Sequence, residues 1–209
     1  MKKFSNQPLT ILNQMSSMAL YSKKTLCLSA FFFFTGISTG IFLELTMGTA
    51  DKGSLSGYLQ QYLFMDAGVV EYPNPFLSSL TSNLLLLLIM FLGGLSVFGF
   101  PAALVALSYK GTALGFCTGL IAETLKNKGI LVILTSLLPQ NLLLIPVFIL
   151  GSSAALNYSF LSIGKRRMAV KRNLRELSGS YILTMIVFAV VVALACGLEA
   201  ILYPIVLLP

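Results

Sequence analysis

Few side chains in this sequence could carry charge or hydrogen-bonding chemistry in an apolar setting. Lys110 stands in the run from Ala102 to Ala122, which holds no other charged residue. Gln140 and Asn141 follow Pro139 inside a second apolar run, and Pro146 comes a few residues later. Glu44 and Glu199 lie near the ends of two further runs. Such a set could form an intramembrane ion pair, or the polar site that broken helices build in transporters. It cannot form the common hydrolytic centres. The chain has 0 His, so a Ser-His-Asp triad, a Cys-His dyad and a His metal site are excluded. Cys27, Cys117 and Cys196 are widely spaced in apolar runs, make no CxxC, and read as buried structural thiols. There is no Walker A sequence, no metal-ligand cluster and no nucleophile beside a base. The expectation is a protein that is not an enzyme, with no catalytic residue, no cofactor and no metal. Acidic pairs could in principle cut glycans, but the one outer segment is too short to make a cleft.

The elements that position these residues must be membrane spans. Of 209 residues, 56% are hydrophobic and 10% charged, and the mean hydropathy is +0.89. A soluble domain carries about 25% charged residues to cover its surface, so the bilayer is the natural solvent here. The charge-free intervals Thr25–Leu43, Tyr72–Tyr109, Gly129–Gly164 and Leu177–Leu198 set the spans. They predict an all-α, polytopic helical bundle with about five transmembrane helices, near 25–47, 78–99, 102–122, 130–158 and 180–203. Two parts are expected: a cytoplasmic N-terminal segment, 1–24, and one membrane domain, 25–206. The N-terminal segment, with Lys2, Lys3 and scattered apolar residues, suits a helix lying on the membrane rather than a cleaved signal peptide.

Charge placement orients the chain. Segment 1–24 and an inner basic loop, 159–179, hold ten of the 14 basic residues, while the outer segments hold Lys52, Lys126 and Lys128. This bias puts the N-terminus inside. The net charge of +7 therefore reports membrane topology and not nucleic-acid binding. The sizeable outer segment, 48–77, has Leu55, Tyr58, Leu59, Tyr62 and Leu63 at helical spacing, which predicts an amphipathic helix on the outer face.

Two features of the spans have open readings. Lys110 would lie ~12 Å into span three, either in a buried ion pair or polar cavity, or near the inner interface if the span is displaced. Glu199 is a conceivable partner for it. In span four, Pro139 removes a backbone donor and predicts a broken helix whose second half starts there. The break serves either a mid-membrane site or helix packing. Gly36 and Gly40, and Gly111, Gly115 and Gly119, have the GxxxG spacing that lets helices approach closely, within one chain or in a homodimer.

Leu137–Leu156, LLPQNLLLIPVFILGSSAAL, resembles the signature segment of the stage II sporulation protein M family. The likeness includes Ser108-Tyr109-Lys110-Gly111, Gly115-Phe116, Gly119, Leu198-Glu199-Ala200 and Pro204, and covers roughly residues 20–206. Wider relatives carry His after the proline and an acidic residue beyond it. Gln140, Leu143 and Leu144 stand there in this chain, which points to the sporulation branch and away from a proton relay. The resemblance implies a multi-pass protein of the mother-cell septal and engulfing membrane. It implies a scaffold that localises the cell-wall hydrolases called stage II sporulation proteins D and P during forespore engulfment. Tyr58, Tyr62 and Phe64 are the candidate partner anchors, though such aromatics also suit the membrane-interface belt. The alternative is a transporter or channel-like subunit using Lys110, Gln140 and Asn141.

Overall fold

The computed structural model describes residues 22–64, 75–96, 99–125, 129, 133–167 and 171–206. Every regular element in them is helical: α1 (Lys23–Thr46), α2 (Thr49–Phe64), α3 (Pro75–Leu95), α4 (Phe100–Leu125), a π-helical turn (Ile133–Leu137), α5 (Leu138–Arg167) and α6 (Lys171–Val206). Five stretches are long and apolar enough to cross a membrane: Lys23–Thr46, Phe76–Leu95, Phe100–Leu125, Leu138–Phe160 and Ser178–Leu198. The expected helical bundle of five spans is what the chain forms.

α5 is the central helix. Of its spanning stretch 67% is buried, against 22% for those of α1 and α3. Residues Gly151–Ser159 are all buried. Small side chains here let three neighbours close in. Thr25 and Ser29 of α1 reach Ser153 and Ser152 through their hydroxyls at 3.0 and 3.3 Å. Tyr158 stacks on Tyr181 of α6 with ring centroids 4.4 Å apart, and the Tyr181 hydroxyl donates to the Phe91 carbonyl of α3 at 3.0 Å. The core around them includes Phe33, Leu107, Leu144, Phe148 and Met185.

α1 and α4 share the most extensive helix contact, and they run parallel. A methyl group at Gly36 would strike the Ser108 carbonyl, and one at Gly40 the Thr112 carbonyl. In return, a methyl at Gly111 would lie 2.5 Å from the Phe33 oxygen, and one at Gly115 would strike that of Ile37. The two GxxxG stripes therefore face each other within one chain. A homodimer would have to use a different surface.

The turn from α3 to α4 is also built on close approach. Gly99 donates to the Ser96 carbonyl at 3.2 Å, and a methyl at Gly99 would lie 2.6 Å from the Gly93 oxygen. Pro101 sits in the first turn of α4, where its missing N–H costs nothing. Pro139 has the same place in α5, and there, where the sequence predicts a break, the π-helical turn passes directly into α-helix. Pro146 lies inside α5, which continues through it.

Two expectations change. Residues 159–167 and 171–179 are helical, so the expected inner loop is largely formed by extensions of α5 and α6. Sequence polarity marks exit from the membrane, but helix propensity carries the backbone on past that point. Cys27 and Cys117 are exposed and only Cys196 is buried. A thiol is apolar enough to face lipid as readily as the core.

Candidate functional site

The first polar constellation joins four helices. Asn83 lies one helical turn after Ser79 on α3, eight residues into that helix. Lys110 lies ten residues into α4, or ~15 Å along its axis. Its Nζ donates to Asn83 Oδ1 at 2.7 Å and stands over the Phe148 ring at 5.6 Å from the centroid. Lys110 is thus turned into the bundle, against α3 and α5. The Asn83 amide donates to the Ser79 carbonyl at 2.8 Å. Gln140, only 7% exposed, donates to Ser79 Oγ at 2.8 Å. Three donors then converge on the buried sulfur of Cys196: Ser79 Oγ at 3.6 Å, Asn83 Nδ2 at 3.7 Å and Gln140 Nε2 at 3.8 Å.

This arrangement can hold α3, α4, α5 and α6 in one register. Lipid provides no hydrophobic drive between helices, so packing and interhelical hydrogen bonds must do it. The polar atoms are turned on one another. Among the described residues, no group of cysteines and carboxylates is placed to hold a metal ion.

The second constellation lies at the opposite end of the bundle from Lys23 and Lys24. Glu44, in the last turn of α1, is 2% exposed. Lys52 of α2 places its Nζ 2.9 Å from Glu44 Oε1 and 2.6 Å from Glu123 Oε2 of α4. The Glu123 contact is an aligned hydrogen bond, whereas Glu44 Oε1 accepts no aligned bond and is held by charge proximity. The hydrogen bond to Glu123, and then the adjacent Glu44 carboxylate, raise the Lys52 pKa above its ordinary value. Gly119 makes room: a methyl there would lie 3.1 Å from Glu44 Oε2.

The sequence-derived set is thus divided. Lys110 and Gln140 meet through Asn83 and Ser79. Gly111 and Gly115 serve the α1 contact on another face of α4. Asn141 turns back to the Leu137 carbonyl at 2.8 Å, and Pro139 shapes the helix start. Pro146 is exposed. The side chains of Glu199, Tyr58, Tyr62 and Phe64 lie outside the described residues, so neither a Lys110–Glu199 pair nor the aromatic anchors are described. Sequence reasoning missed Asn83, Ser79, Cys196 and the Glu44–Lys52–Glu123 triad. A signal existed for Asn83, a lone amide before a run of five leucines. The triad had a weaker one, the alignment of a third glycine with Glu44.

Fold and polar sites together define a multi-pass helical membrane protein with a hydrogen-bonded core and, among the described residues, one helix outside the candidate spans. Comparison with protein families narrows this further: the family model described as stage II sporulation protein M matches residues 29–204. The chain belongs to that family and is a sporulation membrane protein. Comparisons with curated proteins and with solved structures returned no match.

Proposed function

We propose that the protein is a non-enzymatic membrane scaffold that localises peptidoglycan hydrolases, stage II sporulation proteins D and P, to the sporulation septum during forespore engulfment. In this reading it resides in the mother-cell membrane, first at the septum and then around the forespore. Family membership supports the sporulation context. The observation that carries the scaffold reading is α2. It is a helix outside the spans, pinned by Lys52 to the end of the bundle that charge placement assigns to the outer face. Its Gly53 and Gly57 positions open onto free space. Tyr58, Tyr62 and Phe64, on the following turns, are the proposed anchors. The transport reading gains no support from Lys110 and Gln140, whose polar atoms bond to other side chains.

Photo-crosslinkers at Gly53 and Gly57 in sporulating cells test this reading. Capture of either hydrolase is expected. In parallel, replacing Tyr58 and Tyr62 by Ala should reduce septal recruitment of the hydrolases at unchanged membrane abundance. Normal recruitment by that variant, with no crosslink to either hydrolase, would remove α2 as the docking element.

A further inference from the structure

The link from α1 to α2 is very short. α1 ends at Thr46 and α2 begins at Thr49, with Met47 in extended conformation at φ −65° and ψ 140°. Met47 still donates to the Glu44 carbonyl at 3.2 Å, and Lys52 already donates to that of Gly48 at 3.0 Å. The change of direction is therefore confined to Met47 and Gly48. Beyond it, among the described residues, α2 shares no extensive packing face with a span. Lys52 links α2 by charge to two of the spans at once, α1 through Glu44 and α4 through Glu123.

That single lysine is not an ordinary surface partner. Glu44 is buried, and a buried carboxylate is costly unless a counter-charge sits beside it. The counter-charge here comes from across the bend. Lys52 is eight residues past Glu44 and on another helix, so the pair ties the position of α2 to the end of α1. Glu123, 54% exposed, fixes that position by adding an aligned bond from α4. Gly119 keeps the slot open for the Glu44 carboxylate. Position of α2 and electrostatic balance at the α1–α4 end are thereby coupled.

We propose that α2 is a latched arm: Lys52, keyed between Glu44 and Glu123, holds it against the bundle, and withdrawal of Lys52 frees it to swing about Met47 and Gly48. A competing cationic group on the two carboxylates would release it. This device stands whether or not α2 binds the hydrolases.

The test is a distance measurement on the full chain in nanodiscs. Spin labels go on Gly57→Cys and Leu85→Cys, in a background with Cys27→Ser and Cys117→Ser; Cys196 is buried and stays. With Lys52 present, one narrow distance distribution is expected. Lys52→Glu and Lys52→Met should each broaden it or add a second population. The swap Lys52→Glu with Glu123→Lys keeps one cation among carboxylates and should restore the narrow distribution. If both single variants keep the narrow distribution, or if the unsubstituted arm is already as broad as they are, the latch is refuted. A swap as broad as Lys52→Glu alone would overturn its ionic basis. The Met variant keeps the test valid if the Glu variant fails to fold.

Discussion

Lys110 and Asn83, 27 residues apart in sequence, meet inside the bundle with the lysine Nζ 2.7 Å from the amide oxygen. This bond gives the mid-span lysine an acceptor that lipid cannot supply. Asn83→Leu should therefore cost about 1.5–3 kcal/mol, the usual worth of a hydrogen bond to a charged group. Lys110→Met in the Asn83→Leu background should cost much less than Lys110→Met alone. Reversible unfolding in mixed micelles measures both. Additivity of the two changes would show that the contact carries no coupling.

The α1–α4 seam should tolerate no added carbon. Gly40→Ala places a methyl against the Thr112 carbonyl and 2.8 Å from the Phe116 nitrogen, both backbone atoms that cannot turn aside. Overpacking of this kind costs about 1–3 kcal/mol. Gly57→Ala, where nothing lies within 4 Å, should be neutral or slightly stabilising. Thermal melts of the two variants in one detergent decide the matter, and equal melting temperatures would contradict the seam.

Tyr181 contributes through both its ring and its hydroxyl. Tyr181→Phe loses the bond to the Phe91 carbonyl but keeps the stack on Tyr158 at 4.4 Å, and should cost about 0.5–1.5 kcal/mol. Tyr181→Ala opens a cavity as well and should cost about 3–5 kcal/mol. A Phe variant as damaged as the Ala variant would mean that the ring matters less than proposed.

Alkaline pH should reveal the Lys52 contacts. Its amine is held above the ordinary value of 10.5, first by Glu123 and then by Glu44. A raised lysine stabilises the fold fully below that ordinary value and loses the effect as pH climbs through the raised one. Melting temperature should thus show no loss from this group at neutral pH and decline only above about 10.5. Lys52→Met should melt lower at neutral pH and lack this group's share of the alkaline decline. An identical pH profile in both proteins would count against the pair.

Solvent access separates a packed polar core from a permeation route. Gln140→Cys should resist water-soluble thiol reagents added from either side, because the position is 7% exposed and sits among Ser79 and Cys196. Rapid labelling from one or both sides would revive the transport reading.

Much of the fold was readable because its cause is local. Runs of apolar residues long enough to cross the bilayer mark Lys23–Thr46 and Ser178–Leu198 with no knowledge of partners. Pro139 likewise announces a helix start, because its ring forbids the preceding turn from continuing normally. The exceptions are instructive. The basic stretch 159–179 reads as a loop by polarity, yet the backbone stays helical over 159–167 and 171–179. Glu44 reads from the sequence only as a carboxylate near the end of an apolar run, yet it is buried, with Gly119 and Lys52 making a place for it.

By itself, the sequence determined the class of protein, the number of crossings, the helix start at Pro139 and the stripes of glycine. Length and hydropathy are sums over neighbouring residues, and the bilayer reads them segment by segment. Only the tertiary structure decided which faces meet. In lipid both faces of a span are apolar, so no periodicity separates the inward side from the outward one, as exposed Cys27 and Cys117 beside buried Cys196 illustrate. Whether Lys110 finds Asn83, and whether Gly111 meets Phe33 or a second chain, depends on the rotation and register of packed helices. Those are fixed by many weak contacts at once, and no single stretch of sequence contains them.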